Sequence, residues 1–319
     1  MTRLAAVSVD LDAIRFYRAI HGLSSPPAGD KEPPDPVMAV AVPRLANWAK
    51  GLGIPITWFV VGSELADAAF SELLLGLCRR GDELANHSFD HYYDLTRRHR
   101  GVMREQVLLG TQALSRLTGK NKHGFRAPGY TMTDELAAVL SELLVAYDSS
   151  VFPCPIYYGA KAVALVGQRL FGRRSHAILD DARVLTAPMR PYRIGERYDR
   201  RGTGMVELPI QVTPRFRLPF IGTTLVGSGP IGARLLTSQV VGEPLVNLEL
   251  HGIDAIDASD GLTELARVQP DLRLRWPRKL QALTSSINCL KAANYRFVTL
   301  EEAACAGEWG STPNDRVER

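Results

Sequence analysis

The sequence predicts an α/β fold with a parallel sheet, and its seven or eight β/α units suggest a barrel. Short β-branched or aromatic segments alternate with amphipathic helical segments along most of the chain. Ionisable residues also follow the ends of the predicted strands, namely Asp10, Asp12, His87, Arg126, Asp148 and His251. In a parallel β/α barrel such strand ends gather at one face, where the active sites of these barrels lie.

The individual elements follow from local sequence. The predicted strands are 4–12, 56–61, 82–86, 122–126, 144–148, 206–208, 245–250 and 296–299. The predicted helices are 43–52, one from Ser63 to near Gly81, 96–117, one starting at Thr133, and 278–293. Pro, Gly and Ser predict a loop at 22–36, and the tail 308–319 is expected to be disordered. One domain over 1–307 is expected, with a basic insertion at about 151–205 that breaks the alternation.

The composition is that of a soluble globular protein, with 45% hydrophobic and 23% charged residues among 319. Four cysteines without a CxxC pair favour neither a zinc ribbon nor a disulfide framework. The apolar stretch Leu4–Val9 is too short for a signal-peptide core, and no apolar run reaches the ~20 residues that span a bilayer. We therefore expect a cytoplasmic protein, with peripheral contact at the inner face of the membrane.

Positive charge is concentrated in one segment. Between Lys161 and Arg201 ten basic and four acidic residues give +6, whereas the whole chain carries +4. A solvated arginine-rich insertion and attraction to phosphate or an anionic membrane both explain it. Nucleic acid is not an expected partner, since no zinc finger or RNA-binding signature is present. The uncharged stretch 218–233 is either a buried loop and strand or a lip that touches acyl chains.

His87 and His91 stand four residues apart, after the third predicted strand. If this segment is helical, both imidazoles lie on one side, one turn apart. Two neutral imidazoles and one carboxylate form an open metal site of the hydrolytic type, and Val7–Ala13 supplies the carboxylate.

Seven segments together resemble the polysaccharide deacetylases, carbohydrate esterase family 4, also called the NodB homology domain. They are VSVDLD at 7–12, ITWFVVG at 56–62, ANHSFDH at 85–91, FRAPGY at 125–130, YDSSVFP at 147–153, LELH at 248–251 and FVTLEEA at 297–303. The resemblance runs from Val7 to about Ala303 and implies a distorted (β/α)7–8 barrel of the NodB type.

The resemblance also implies roles for individual residues. Asp12, His87 and His91 would bind one divalent metal, usually Zn²⁺, with Co²⁺, Ni²⁺ and Mn²⁺ as alternatives. Asp10 would be the general base, Arg126 would orient it, and His251 would be the general acid, with Asp148 as the acid near that histidine. Pro128, Gly129 and Tyr130 would contact the substrate, with a backbone N–H for the oxyanion.

The resemblance implies removal of an N-acetyl or N-formyl group from an amino sugar. A chain without an export signal favours a cytoplasmic precursor of an envelope glycan, carried on a nucleotide or on a polyprenyl phosphate. Two alternatives remain open at this point. One is hydrolysis of a non-sugar linear or cyclic amide, as in an allantoinase-like branch, and the other is a catalytically weak protein that binds glycan or lipid.

Overall fold

The computed structural model describes residues 2–23, 34–170, 175–307 and 309. Its strands are β1 (Leu4–Asp10), β2 (Thr57–Val60), β3 (Glu83–Asn86), β4 (Tyr192–Ile194), β5 (Arg201–Glu207), β6 (Leu245–His251) and β7 (Arg296–Phe297). Its α-helices are α1 (Ile14–Ile20), α2 (Val42–Leu52), α3 (Ala68–Arg79), α4 (Arg100–Thr118), α5 (Asp134–Glu142), α6 (Pro155–Leu170), α7 (Gly222–Val240), α8 (Trp276–Ala292) and α9 (Leu300–Ala306). Within these residues, no helix combines the length and the apolar character needed to cross a bilayer.

Strand β1 is the centre of the parallel sheet. It pairs with β6 along its whole length, from Leu4 opposite Leu245 to Asp10 opposite His251, and with β2 near its end. Strand β3 extends the sheet beyond β2, and β7 pairs with the first residues of β1. Every residue of β1, β2 and β3 is buried, as expected for parallel strands that helices cover.

Single bridges continue the sheet from β3 and close it into a barrel. Asn86 pairs with Phe125, Phe125 with Asp148, and Asp148 with Glu207 at the end of β5, all in parallel. The segment after β5 then donates a backbone hydrogen bond of 3.1 Å to β6, which returns the sheet to β1. The predicted α/β barrel is therefore confirmed.

The barrel is distorted where two predicted strands are reduced to single bridges. Among the described residues, the predicted strand 122–126 forms β-bridges only at Phe125. The predicted strand 144–148 forms them only at Asp148. The chain turns soon after Phe125, at Pro128, which has no N–H to continue a ladder.

Local sequence sets the ends of the helices that cover the sheet. The Asp67 side chain accepts from the Ala69 N–H at 2.8 Å at the start of α3. Thr133 accepts from the Leu136 N–H at 3.2 Å at the start of α5. Gly119, with φ 75°, ends α4 in the left-handed conformation that glycine adopts without cost.

Two segments differ from their predictions. The basic insertion 151–205 contains helix α6 and the antiparallel pair β4–β5. The uncharged stretch 218–233, predicted as a loop and strand or as an exposed lip, lies mostly in α7, where Leu225 and Ala233 are buried. A bend at Gly229, with φ 68°, interrupts this helix and conceals its periodicity in the sequence.

Other predictions fall partly outside the described residues. Residues 24–33 of the predicted loop and, apart from 309, the predicted disordered tail 308–319 lie outside them. The four cysteines are free, in agreement with the prediction of no disulfide framework.

Candidate active site

The register of β1 and β6 brings together residues that are far apart in the chain. Asp10 is the last residue of β1 and lies opposite His251, the last residue of β6. Asp12 follows two residues later, and both carboxylates are buried. The strand ends therefore meet at one face, as the sequence predicted.

Asp12, His87 and His91 form a compact group that we call the ligand cluster. Their ligand atoms all lie within 4.8 Å of one another, and the three residues are buried. The Asp12 Oδ1 atom lies 3.2 Å from His87 Nε2 and 3.0 Å from His91 Nε2. One carboxylate oxygen and two imidazole nitrogens thus converge on a single point.

The two histidines converge through a turn and not through a helix, which was one possible reading of their spacing. Ser88 and His91 have φ values of 63° and 56°, in the left-handed region that ordinary residues rarely occupy. Hydrogen bonds hold the turn in this shape: the His91 N–H donates to Ser88 Oγ at 3.1 Å, and the Asp90 N–H to Gln106 Oε1 of α4 at 2.7 Å. Tertiary contacts, and not helical geometry, therefore set the relative position of the two histidines.

The orientation of His87 is fixed by its second nitrogen. His87 Nδ1 lies 2.8 Å from the Arg126 carbonyl oxygen, which can only accept, so Nδ1 carries the hydrogen. The lone pair of Nε2 then faces Asp12. A histidine that donates its other N–H to a carbonyl is the usual arrangement of a metal ligand.

The ligand cluster fits a divalent cation. Among the described residues, Asp12 Oδ1 and His91 Nε2 are buried atoms without a hydrogen-bond partner. Burial raises the pKa of Asp12, but His91 and His87 outweigh it and hold that pKa well below its usual range. Burial lowers the pKa of His91, which favours the neutral imidazole that a metal requires. Carboxylate and imidazole donors suit Zn²⁺ and its neighbours in the first transition row.

Arg126 binds Asp10 from the interior of the barrel. Its Nη1 donates to Asp10 Oδ1 at 2.6 Å, and its side chain is fully buried. Nη2 donates to Ser8 Oγ and Ser149 Oγ, each at 2.9 Å, and Nε donates to the Ser149 carbonyl at 2.9 Å. The other oxygen of Asp10, Oδ2, lies 3.9 Å from His87 Nε2, so it faces the ligand cluster. The sequence did not predict the two serines that fix the guanidinium.

His251 lies between a carboxylate and a phenol. Its Nδ1 is 2.9 Å from Glu249 Oε1, and its Nε2 is 3.1 Å from the Tyr130 hydroxyl. Burial lowers the pKa of His251, but the Glu249 carboxylate outweighs this effect and raises the pKa well above its ordinary value. The raised pKa favours the protonated imidazole, in which Nε2 would donate to the Tyr130 hydroxyl.

The structure corrects the prediction for Asp148. The acid beside His251 is Glu249, two residues earlier on β6, because alternate residues of a strand point to the same face. Asp148 instead accepts from the Ser150 hydroxyl at 2.7 Å. Glu207 lies next to it across a bridge, and burial together with Asp148 raises the pKa of Glu207 well above its usual range. The two-residue spacing of Glu249 and His251 on one strand is the sequence signal that could have identified this pair.

The turn Pro128–Tyr130, predicted to contact the substrate, lies beside His251. Gly129 and Tyr130 have φ values of 65° and 59°, and the Tyr130 N–H donates to the Ala127 carbonyl at 3.0 Å. In this conformation the Tyr130 amide is engaged, and it is the Tyr130 hydroxyl that reaches His251. Lys161 of α6, which the sequence did not single out as a site residue, donates from Nζ to the Gly129 carbonyl at 3.1 Å.

Fold and site together define an α/β barrel with a ligand set of the kind that hydrolytic metal sites use. Residues 33–147 match the family model described as polysaccharide deacetylase. This match agrees with the resemblance that the motifs of the chain predicted. It includes His87, His91 and Arg126, whereas Asp10, Asp12 and His251 lie outside the matched residues.

Solved structures of this family resemble the chain at low sequence identity. The carbohydrate esterase 4 domain of a multidomain xylanase from the hindgut metagenome of Trinervitermes trinervoides is 13% identical, with a TM-score of 0.48 over 98% of this chain and 96% of that one. A peptidoglycan N-acetylglucosamine deacetylase is 14% identical, with a TM-score of 0.46 over 97% and 90%. A family 4 pseudoenzyme from Bacillus anthracis is 11% identical, with a TM-score of 0.48 over 98% and 67%. No curated protein sequence matches the chain significantly.

Proposed function

We propose that the chain is a metal-dependent hydrolase that removes an N-acetyl or N-formyl group from an amino sugar. The observation that carries this proposal is that the ligand cluster lies next to two candidate proton-transfer groups, Asp10 and His251. Asp10 Oδ2 lies 3.9 Å from His87 Nε2, and Asp10 lies opposite His251 in the sheet. Amide hydrolysis needs a base for water and an acid for the amine on the two sides of one carbonyl.

A divalent ion held by Asp12, His87 and His91 would supply a Lewis acid that polarises the amide carbonyl and acidifies water. Asp10 accepts a proton from the water molecule, and the water oxygen attacks the carbonyl carbon of the amide. The buried Arg126 guanidinium offsets the charge of Asp10 and fixes its direction. His251 then donates its Nε2 proton to the sugar nitrogen as the C–N bond breaks, which releases a carboxylic acid and an amine.

Glu249 and Tyr130 prepare His251 for this role. The Glu249 carboxylate beside Nδ1 keeps that nitrogen protonated, so the proton that leaves is the one on Nε2. The Tyr130 hydroxyl accepts from Nε2 and holds the imidazole toward the substrate side. His251 is partly exposed while Glu249 is fully buried, which suits an acid that must reach a substrate.

For the substrate we propose a glycan precursor carried on a polyprenyl or nucleotide phosphate, handled at the cytoplasmic face of the membrane. The +6 charge of 161–201 supports it, because phosphate is attracted to such a segment. Lys161 supports it as well, because this cation lies against the turn that carries Tyr130.

Two measurements on purified protein test the proposal: elemental analysis of bound metal, and an assay of the acetate or formate that is released. We expect one divalent ion per chain in the wild type and less than a stoichiometric amount in His87→Ala. His176→Ala, an exposed histidine outside the site, is the matched control and should keep the ion. Acetate or formate release would be assayed on free, nucleotide-linked and polyprenyl-phosphate-linked N-acyl amino sugars. Stoichiometric metal in His87→Ala, or no release from any of these substrates, would contradict the proposal.

A further inference from the structure

Helix α6 is oriented with its polar side toward the protein. On that side Lys161 donates to the Gly129 carbonyl, and Gln168 Nε2 donates to the Ile20 carbonyl at 3.0 Å. The Tyr157 ring packs 5.0 Å from that of Phe152. No residue of α6 is fully buried. Polar and aromatic groups therefore attach this helix to the barrel, and its aliphatic residues do not contribute to the core.

The opposite side of α6 is apolar and exposed. Ile156, Val163, Val166 and Leu170 expose 53%, 74%, 58% and 80% of their surface. Their spacing of seven, three and four residues places them on one side of a helix, and we call this set the outer α6 face. Phe216, 64% exposed, directly precedes Arg217, whose carbonyl accepts a hydrogen bond of 3.2 Å from Cys154 Sγ near the start of α6.

An amphipathic helix of a globular protein normally turns its apolar stripe to the core. The outer α6 face does the reverse, and no described residue covers it. A contiguous apolar surface of this kind marks an interaction site. The charges around it indicate the partner.

Cations border the outer α6 face. Arg169 is the one charged side chain among the exposed residues of α6, and Arg215 is exposed beside Phe216, 5.3 Å from its ring. The nearby acid Asp181 is paired with Arg183. A helix with aliphatic residues on one side and arginines at its margins matches the boundary between headgroups and acyl chains of an anionic bilayer.

We propose that the outer α6 face docks on an anionic lipid bilayer, with α6 lying in the plane of the membrane. The inner side of the same helix contacts the Gly129–Tyr130 turn, and Tyr130 contacts His251. Docking through α6 therefore brings the mouth of the site to the level of the headgroups. The relevance to a lipid-linked substrate rests on the proposed function, whereas the docking itself does not.

Sedimentation with vesicles tests the docking without any assay of activity. The wild type should bind phosphatidylglycerol-containing vesicles at low salt, bind less at high salt, and bind pure phosphatidylcholine weakly. The double variant Val163→Asp/Val166→Asp should lose at least about tenfold in partitioning, because two carboxylates enter the apolar layer. Arg169→Ala should lose about fivefold, the effect of one basic residue near such a surface.

The matched control is Ile231→Asp/Leu235→Asp on α7, where the two side chains are 79% and 63% exposed. It adds the same charge elsewhere and should bind as the wild type does. His87→Ala should also bind normally, which separates docking from hydrolysis. Wild-type protein that stays in solution with anionic vesicles at low salt would overturn the proposal. So would equal losses in both double variants, or a dimer of the wild type that Val163→Asp/Val166→Asp converts to a monomer without any vesicle binding.

Discussion

Two groups of acid and histidine side chains lie next to each other at the strand ends, and they differ in their surroundings. The ligand cluster is Asp12, His87 and His91, and the proton cluster is Asp10, Glu249 and His251. In both, the oxygen and nitrogen atoms lie within 4.8 Å of one another. Residue types and spacing alone would assign a cation to either cluster.

The side chains next to each cluster distinguish a candidate metal site from a candidate proton-transfer site. Asp10 of the proton cluster already binds the Arg126 guanidinium, and His251 reaches the Tyr130 hydroxyl. In the ligand cluster, Asp12 Oδ1 and His91 Nε2 have no arginine or tyrosine partner among the described residues, and of the proton cluster only the Glu249 oxygens share this lack of a hydrogen-bond partner. In the proposed mechanism, the buried arginine beside Asp10 makes this carboxylate a base and not a metal ligand, whereas Asp12 remains available to a metal.

The largest expected effect comes from one conservative change in each cluster. Asp12→Asn should lose the metal ion and the activity together, because the amide removes the anionic ligand. Asp10→Asn should keep one ion per chain while kcat falls roughly 10²–10⁴-fold, the usual contribution of a general base. Metal analysis and acid release on both variants check this. An Asp10→Asn protein that lacks the ion, or that turns over near the wild-type rate, would remove the distinction between the clusters.

A smaller effect on kcat, seen in its pH dependence, is expected when Glu249 is replaced by Gln. The Glu249 carboxylate holds the pKa of His251 above its ordinary value, so its removal lowers that pKa. His251 must be protonated to act as an acid, so the alkaline limb of the pH profile of kcat should move to lower pH. Glu249→Asp, which retains the charge, should keep the limb nearer to its wild-type position. A profile in which Glu249→Gln and wild type coincide would exclude this role for Glu249.

The smallest effect concerns a buried carboxylate outside both clusters. Glu83 accepts from Thr57, Tyr147 and the Glu301 N–H, and burial raises its pKa from 4.5 to about 7. The folded state therefore holds a proton that the unfolded chain releases between these pH values. The free energy of unfolding should fall as pH rises through this window.

Glu83→Gln should remove that dependence. At pH 8 the variant should be more stable than the wild type by on the order of 1–3 kcal/mol, and at pH 4 the difference should largely vanish. Urea unfolding at both pH values measures it. A wild-type stability that does not change between pH 4.5 and 8 would show that Glu83 is ionised despite its burial.

The sequence predicts those parts of the molecule that local pattern controls. Strands β1 and β6 are rich in aliphatic residues, as buried parallel strands usually are, and the polar residues that end them mark the site. Helices such as α4 and α5 have both periodicity and cap residues. For this reason the barrel could be anticipated, as could a site with His87, His91 and a carboxylate from 7–13, whereas the choice of Asp12 came from the family resemblance.

Features that depend on distant contacts could not be predicted in the same way. The left-handed turn at Ser88–His91 requires Gln106 of α4, and the partner of His251 is set by strand alternation on β6. Helix α6 was missed because its apolar side faces outward, so its pattern did not fit the alternation of a barrel. Each of these depends on where the rest of the chain lies.

The left-handed turn that carries His91 has a consequence for the choice of ion. Non-glycine residues in this conformation cost of order 1–3 kcal/mol each, and they persist only where their surroundings fix them. Ser88 and His91 are fixed by the hydrogen bonds to Ser88 Oγ and Gln106, so the spacing of the donors is established before any ion arrives. Donor atoms in fixed positions cannot adjust their distances to the ion that binds. Cations of similar chemistry will therefore be discriminated by their ionic radius, so the fold contributes more to metal selectivity than the donor types do.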